Sequence, residues 1–171
     1  MAYSMFLKVE GIDGDSTDAK HEDWIEVMSY SHGILCRAAQ FVPEGYDNKP
    51  AQLTGTSEHH DFTITKRVDK ASPMLALKCS TGANIPEVTL ELCRATGDKT
   101  AFMVYKLFNC IVAAFFPTGS GKAEDPLPFE EVKFRYGQIV WTYTVTATGG
   151  RVRDEVHETM FDVGQATQLG G

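Results

Sequence analysis

From Val140 to Thr148 the chain alternates: Trp141, Tyr143, Val145 and Ala147 are apolar or small, while Thr142, Thr144, Thr146 and Thr148 stand between them. Successive side chains of a strand point to opposite faces, so this spacing predicts a strand with one apolar face and one hydroxyl-bearing face. Runs of the same kind recur at Tyr3 to Val9, Asp23 to Tyr30, His60 to Val68, Glu87 to Arg94, Ala101 to Phe116 and Phe129 to Tyr136, separated by Gly, Pro, Asp and Asn. At least seven strands are expected. Ala101 to Phe116 is apolar on both faces, with Phe102, Val104, Phe108 and Val112 set against Met103, Leu107, Ile111 and Phe115. It is therefore expected to be a central or doubly covered strand. A last strand is expected within Arg151 to Val163, where Val152, Val156 and Met160 share one side, and Gln165 to Gly171 is expected to fray.

One segment breaks the pattern. Asp69 to Gly82 reads as a helix: Ser72 is placed to accept hydrogen bonds from first-turn amides, and Pro73 suits the first helical position, where a missing N–H costs nothing. Met74 to Leu77 favour helix, and Gly82 can take the left-handed conformation that ends it. One short helix is predicted from about Pro73 to Thr81 in a mainly β chain.

At 171 residues the chain suits a single domain spanning residues 1–171. Its 16 Lys and Arg against 23 Asp and Glu leave a net charge of −7, which argues against nucleic acid and anionic membrane as partners. No stretch approaches the roughly 20 apolar residues of a membrane span, and the N-terminus has no basic leader, so neither membrane insertion nor a cleavable signal peptide is expected. Cys36, Cys79, Cys93 and Cys110 contain no C-x-x-C pair and read as reduced, packed thiols.

Two stretches resist the alternation. Val42 to Glu58 is too long for an ordinary connection and is expected to project as an arm. Pro117 to Pro126 is a polar, Gly-bearing connector expected to be mobile.

The candidate chemistry is thin. Gly119-Ser120-Gly121-Lys122 lacks the first Gly of a phosphate loop, since Phe116 stands there, and Ala123 occupies the place of the magnesium-binding hydroxyl. His59-His60-Asp61, with His32 or His157, has imidazole and carboxylate donors, but neighbours on a strand diverge, so a solvated loop end is expected. Glu130 and Glu131 fall on opposite faces and read as a solvated edge, and His21-Glu22-Asp23 as a polar lead-in to a strand. There is no Gly-x-Ser-x-Gly elbow, and no cysteine is set beside a histidine in sequence. No catalytic residue, cofactor or metal site is expected, and the chain is not expected to be an enzyme.

Longer matches carry more. Phe6-Leu7-Lys8-Val9-Glu10-Gly11-Ile12-Asp13-Gly14-Asp15-Ser16, His21-Glu22-Asp23-Trp24-Ile25-Glu26-Val27, Asp61-Phe62-Thr63-Ile64-Thr65-Lys66, Asp69-Lys70-Ala71-Ser72-Pro73 and Cys79-Ser80-Thr81-Gly82, in that order, closely resemble the haemolysin-coregulated protein (Hcp) family, the tube protein of bacterial type VI secretion systems. The resemblance is strongest over Met1 to Arg94, continues through Val132 to Tyr143 and is weak beyond Gly149.

It implies a compact β-barrel of two packed antiparallel sheets with one flanking helix. It also implies homohexameric rings that stack into a hollow tube inside a cytoplasmic sheath, meet sheath and tip proteins, and are expelled to the outside or into a target cell with effectors in the lumen. The arm at Val42 to Glu58 matches the loop that bridges rings in the family, which makes Tyr46, Asp47, Asn48 and Lys49 the stacking candidates. With 22 residues after Gly149, no fused toxin domain is expected. The alternatives are a β-sandwich carbohydrate- or protein-binding module with Trp24, Tyr46 and Trp141 as its platform, and a small barrel enzyme using His59 or His60 with a metal.

Overall fold

A computed structural model describes residues 3–36, 40–42, 52–54, 57–95, 99–121, 127–145 and 155–164. Their order is β1 (Tyr3–Val9), β2 (Ile25–Ser31), β3 (Ile34–Cys36), β4 (Gln40–Val42), β5 (Gln52–Thr54), β6 (Ser57–His59), β7 (Phe62–Arg67), α1 (Ser72–Thr81), β8 (Ile85–Arg94), β9 (Ala101–Thr118), β10 (Phe129–Arg135), β11 (Gln138–Val145) and β12 (Glu155–Asp162). Each run read as a strand contains one, and Thr146 to Thr148 and Arg151 to Asp154 of the last two runs lie outside the described residues. The eight-stranded sheet runs β10-β7-β2-β1-β8-β9-β11-β12, every pairing antiparallel, and a further pairing of β10 with β9 closes six of the strands into a barrel. The mainly β barrel with one short helix is the expected fold class.

β9 makes closure possible. It pairs with β8 over Ala101–Cys110 and with β11 over Met103–Phe108, then with β10 over Ile111–Thr118. One 18-residue strand thus belongs to the barrel along its whole length and still carries the β11–β12 extension. It is the expected spine. Its faces are not as strict alternation has them, because Leu107 and Val112, five apart, both lie in the core. Asn109, at φ 53°, inserts the irregular step that resets the frame.

Leu7, Ile25, Phe62, Ile64, Leu90, Leu107, Phe134 and Ile139 are 0–1% exposed and form the centre of the barrel. The helix contributes Ala71 and Leu75 to the same cluster. Gly82, at φ 65°, closes the helix and donates its N–H to the Lys78 carbonyl at 3.0 Å, as read from the sequence. The start differs from expectation. Ala71 holds the capping position and no side chain caps the helix, while Ser72 turns inward as a buried residue. Asp69 Oδ1 instead accepts from the Ala71 N–H at 2.9 Å.

Two other expectations change. The arm carries short ladders, β3 with β6 and β4 with β5, so it is not a structureless loop at its base. Tyr143, read as a buried apolar position, is 45% exposed, whereas Trp141 two residues earlier packs on the core. The apolar face of β11 therefore emerges from the barrel along its length.

Candidate functional site

The barrel hides its own edges, but the extension does not. Among the described residues, β12 has β11 as its partner and ends the sheet, and six of its eight residues are exposed. An open strand edge presents N–H and C=O groups ready to pair with another chain. Val156 and Met160 add exposed apolar side chains to it. On the adjoining strand, the Thr142 hydroxyl donates to Glu158 Oε2 at 2.9 Å, tying the outer pair together. The hydroxyl-bearing face of β11 is therefore engaged with β12 at that position.

The stacking candidates Tyr46, Asp47, Asn48 and Lys49 lie outside the described residues. The described strands on either side are β4 and β5, which pair Gln40 with Thr54 and Val42 with Gln52. Among the aromatic platform candidates, Trp24 stands edge-on to His21 at 4.9 Å, Trp141 packs on the core, and Tyr46 is outside the described residues. Gly119 to Gly121 leads from β9, and the next described element is the strand β10, whereas a phosphate loop needs a helix there.

Three polar clusters join residues that are distant in the sequence. The first lies on the outer face of the barrel. Val88, Leu90 and Leu92 of β8 point into the core, so Glu91 and Cys93 point outward, under the loop that joins β1 to β2. His21 of that loop is 3% exposed and stacks on Phe6 at 4.2 Å. Its Nε2 lies 2.9 Å from Glu91 Oε2 and 3.7 Å from Cys93 Sγ, and its Nδ1 lies 2.8 Å from Asp18 Oδ1. Lys99, the largest influence, and then His21 hold the Asp18 carboxyl far below the usual carboxylate range. Burial, then the charges of Glu91 and Asp18, push the Cys93 thiol up to about 11, so it is no nucleophile. His21-Glu22-Asp23 does lead into β2, but His21 is buried, and Cys93, next to no histidine in the sequence, sits beside one in the fold. Their separation of 72 residues hid the pairing from any reading of spacing.

The second cluster corrects the solvated reading of His59. His32 Nε2 and His59 Nδ1 both approach the Tyr136 hydroxyl, at 2.5 and 3.1 Å, and His59 stacks on Phe161 at 4.9 Å. They border a cleft of about 700 Å³ whose walls include His60, Asp61, Lys133 and Arg135. Burial, then the charges of His59 and His60, lower the pKa of His32, and burial lowers that of His59. His157, on β12, is exposed and lies 3.4 Å from Glu155. The arrangement ties the base of the arm to the β10–β11 turn and to β12.

The third cluster is inside the barrel. Glu130 and Glu131 do face opposite ways, but Glu130 is buried, not solvated. Its Oε2 accepts from Lys66 Nζ at 2.8 Å and from the Ser72 hydroxyl at 2.8 Å. Lys66 Nζ also meets Asp69 Oδ1 at 2.7 Å and donates to the Arg67 carbonyl at 2.8 Å. Glu131 pairs with Lys133 at 3.4 Å. These contacts position β7, β10 and the start of α1; they organise structure and offer no open reaction centre.

No helix among the described residues is long and apolar enough to cross a membrane. Comparison with known proteins connects this geometry to a family. The family model described as "Type VI secretion system effector, Hcp" matches residues 6–143. Protein hcp1 of Pseudomonas aeruginosa is 28% identical over 144 residues, covering 84% of each chain. The "Major exported protein" of the same organism is 28% identical over 144 residues, covering 80% of this chain and 78% of its own. A solved type six secretion system protein superposes with a TM-score of 0.85 at 27% identity, over 97% of this chain and 99% of its own. Hcp1 from Salmonella typhimurium superposes at 0.76, also at 27% identity, over 95% and 96% of the two chains. With the family pattern matched from β1 into β11 and the barrel shared almost end to end, this chain belongs to the Hcp family of type VI secretion proteins.

Proposed function

We propose that this chain, as one domain over residues 1–171, is the structural subunit of a type VI secretion tube. Identical copies close side by side into a homohexameric ring, rings stack into a hollow tube, and the tube is expelled with effector proteins in its lumen. The chain acts by assembly, and the family to which it belongs is a structural one, not an enzyme family. The tube is built in the bacterial cytoplasm against sheath and tip proteins and then leaves the cell without a cleavable signal peptide.

The observation that carries this reading is the edge that β12 leaves open among the described residues, beside a closed six-stranded barrel. A ring needs two different complementary patches on each subunit, and an unpaired strand edge with exposed Val156 and Met160 supplies one. Light scattering coupled to size exclusion tests it, followed by electron microscopy of the peak. A mass of about six subunits and annular particles are expected; a monomer at every concentration and salt level overturns it. For axial stacking, the segment holding Tyr46, Asp47, Asn48 and Lys49 is the proposed contact. Deleting residues 45–51 should leave single rings while abolishing tubes, and intact tubes from that variant would exclude this role.

A further inference from the structure

The cluster beneath the β1–β2 loop has a property that tube assembly does not require. Its three potential donors differ in chemistry: an imidazole nitrogen, a carboxylate oxygen and a thiol sulfur. Their ligand atoms all lie within 4.8 Å of one another. Around a tetrahedral zinc ion, with bonds of about 2.0–2.3 Å, neighbouring nitrogen and sulfur ligands stand about 3.5 Å apart and nitrogen and oxygen ligands about 3.3 Å. The 3.7 Å between His21 Nε2 and Cys93 Sγ and the 2.9 Å between His21 Nε2 and Glu91 Oε2 are each within a few tenths of those separations.

We propose that His21, Glu91 and Cys93 form a binding site for a borderline-soft divalent metal ion, zinc foremost. The mixed nitrogen, oxygen and sulfur set selects such an ion over magnesium or calcium, which prefer oxygen alone. The surroundings are those of a prepared ligand set. Asp18 Oδ1 meets His21 Nδ1 at 2.8 Å, the carboxylate-to-imidazole support that leaves the other ring nitrogen for a metal. Phe6, stacked within 6° of parallel, fixes the plane of the ring. Glu91 and Cys93 are two apart on β8, so the strand itself aims both at His21. Glu91 is 26% exposed while His21 is 3% exposed, which gives an ion a path in along the carboxylate and a position for water as fourth ligand. Binding needs a bare Nε2 on His21 and a thiolate on Cys93, so any proton these atoms carry passes to solvent as the metal enters. The ion would staple the β1–β2 loop to β8, stabilising each subunit independently of whether rings form.

The test uses the full chain, freed of metal by a chelator and dialysed, then titrated with cobalt(II) and afterwards with zinc(II). One cobalt per chain is expected, with visible bands of tetrahedral intensity and a near-ultraviolet thiolate-to-cobalt charge-transfer band that zinc abolishes. Cys93→Ser and Cys93→Ala should each remove the charge-transfer band while keeping the circular dichroism of the wild type. Cys110→Ser should retain it. Asp18→Asn should weaken binding by about 10–100-fold, the usual cost of losing the group that orients a metal-binding imidazole. No charge-transfer band at one equivalent of cobalt overturns the proposal. So does a band that survives in both folded Cys93 variants. Subunit mass, measured on the same samples, reports ring formation separately, so failure of the metal site and failure of ring assembly are told apart.

Discussion

Replacing Lys66 with Met should be among the most damaging single changes to this barrel, although it makes the interior more apolar. Lys66 is fully buried and faces two carboxylates, Glu130 at 3% side-chain exposure and Asp69 at 12%. Lys66→Met leaves both without their cation. Glu130 keeps only the Ser72 hydroxyl at 2.8 Å, and Asp69 keeps the Ala71 N–H at 2.9 Å. Removing one member of a buried ion pair costs about 3–5 kcal/mol, mostly from the stranded charge. Domains of this kind are stable by only about 5–15 kcal/mol, so the loss is a large fraction of the total. In guanidinium unfolding followed by Trp fluorescence, a loss of about 4 kcal/mol at a slope near 4 kcal/mol/M lowers the midpoint by about 1 M. Measurement at one fixed, dilute protein concentration separates this from any effect of assembly. The double variant Lys66→Met with Glu130→Gln should lose less than the two single losses together, by about 1–3 kcal/mol, because the more deeply buried of the two stranded charges is then gone. A midpoint for Lys66→Met within about 0.2 M of wild type, or strict additivity in the double variant, would refute the argument from stranded charge.

Gly14→Ala should destabilise by about 1–3 kcal/mol, seen as a lower unfolding midpoint, because its Cβ would stand 2.4 Å from the Trp24 carbonyl oxygen and 2.6 Å from the Ile25 nitrogen, backbone atoms that cannot swing aside. Burial keeps His32 and His59 neutral in the fold, below the ordinary imidazole value of 6.5, so the unfolded chain binds more protons beneath it. Stability from this site is complete above about pH 6.5 and falls as pH drops toward the folded values; the urea midpoint should decline between pH 7 and 5, and His32→Asn with His59→Asn should flatten the decline. The groups facing the pair, His60, Glu58, Asp61, Lys133 and Arg135, remain in that variant as the background. Ring formation should strengthen with added salt, read as mass in light scattering from about 50 to 500 mM, since screening relieves repulsion among acidic copies.

The barrel strands were legible because one face of each had to be buried. The run Tyr3 to Val9 coincides with β1, and the ends of β7 and β10 lie within two residues of their runs. The helix was legible from Pro73 and Gly82, whose backbone constraints act locally. What alternation could not reveal was the irregular step at Asn109, which depends on how three strands share β9. Lys66 was readable in principle: it stands two residues beyond Ile64 and four beyond Phe62, on the core face of β7. A lysine in that register demands a buried anion, and Glu130, on the strand paired with β7, occupies the facing position. The sequence does not reveal His21, Glu91 and Cys93 as neighbours, because only the folding of the loop over the outer face of β8 brings them together.

Charge adds a constraint on how copies of this chain can meet. Six copies at −7 each would amount to −42, and several of the described cations that could offset this between subunits are committed within one. Arg135 holds Asp61 with two hydrogen bonds at 2.9 and 3.1 Å, Lys133 pairs with Glu131, Lys70 with Asp23, and Lys99 with Asp18. Each of those pairs would have to break before its cation could serve a neighbour, and an exposed pair of new partners returns only about 0.2–1 kcal/mol. For these four cations, ion pairing between subunits is therefore a weak source of cohesion. Backbone pairing along β12 needs no free charge, and burial of the exposed Val156 and Met160 would yield about 25 cal/mol for each Å² covered. In the proposed tube, the same acidity would oppose closure at low salt and discourage off-register contacts between rings, so specificity would fall to the groups proposed to overcome it: the strand edge, its apolar side chains and the arm.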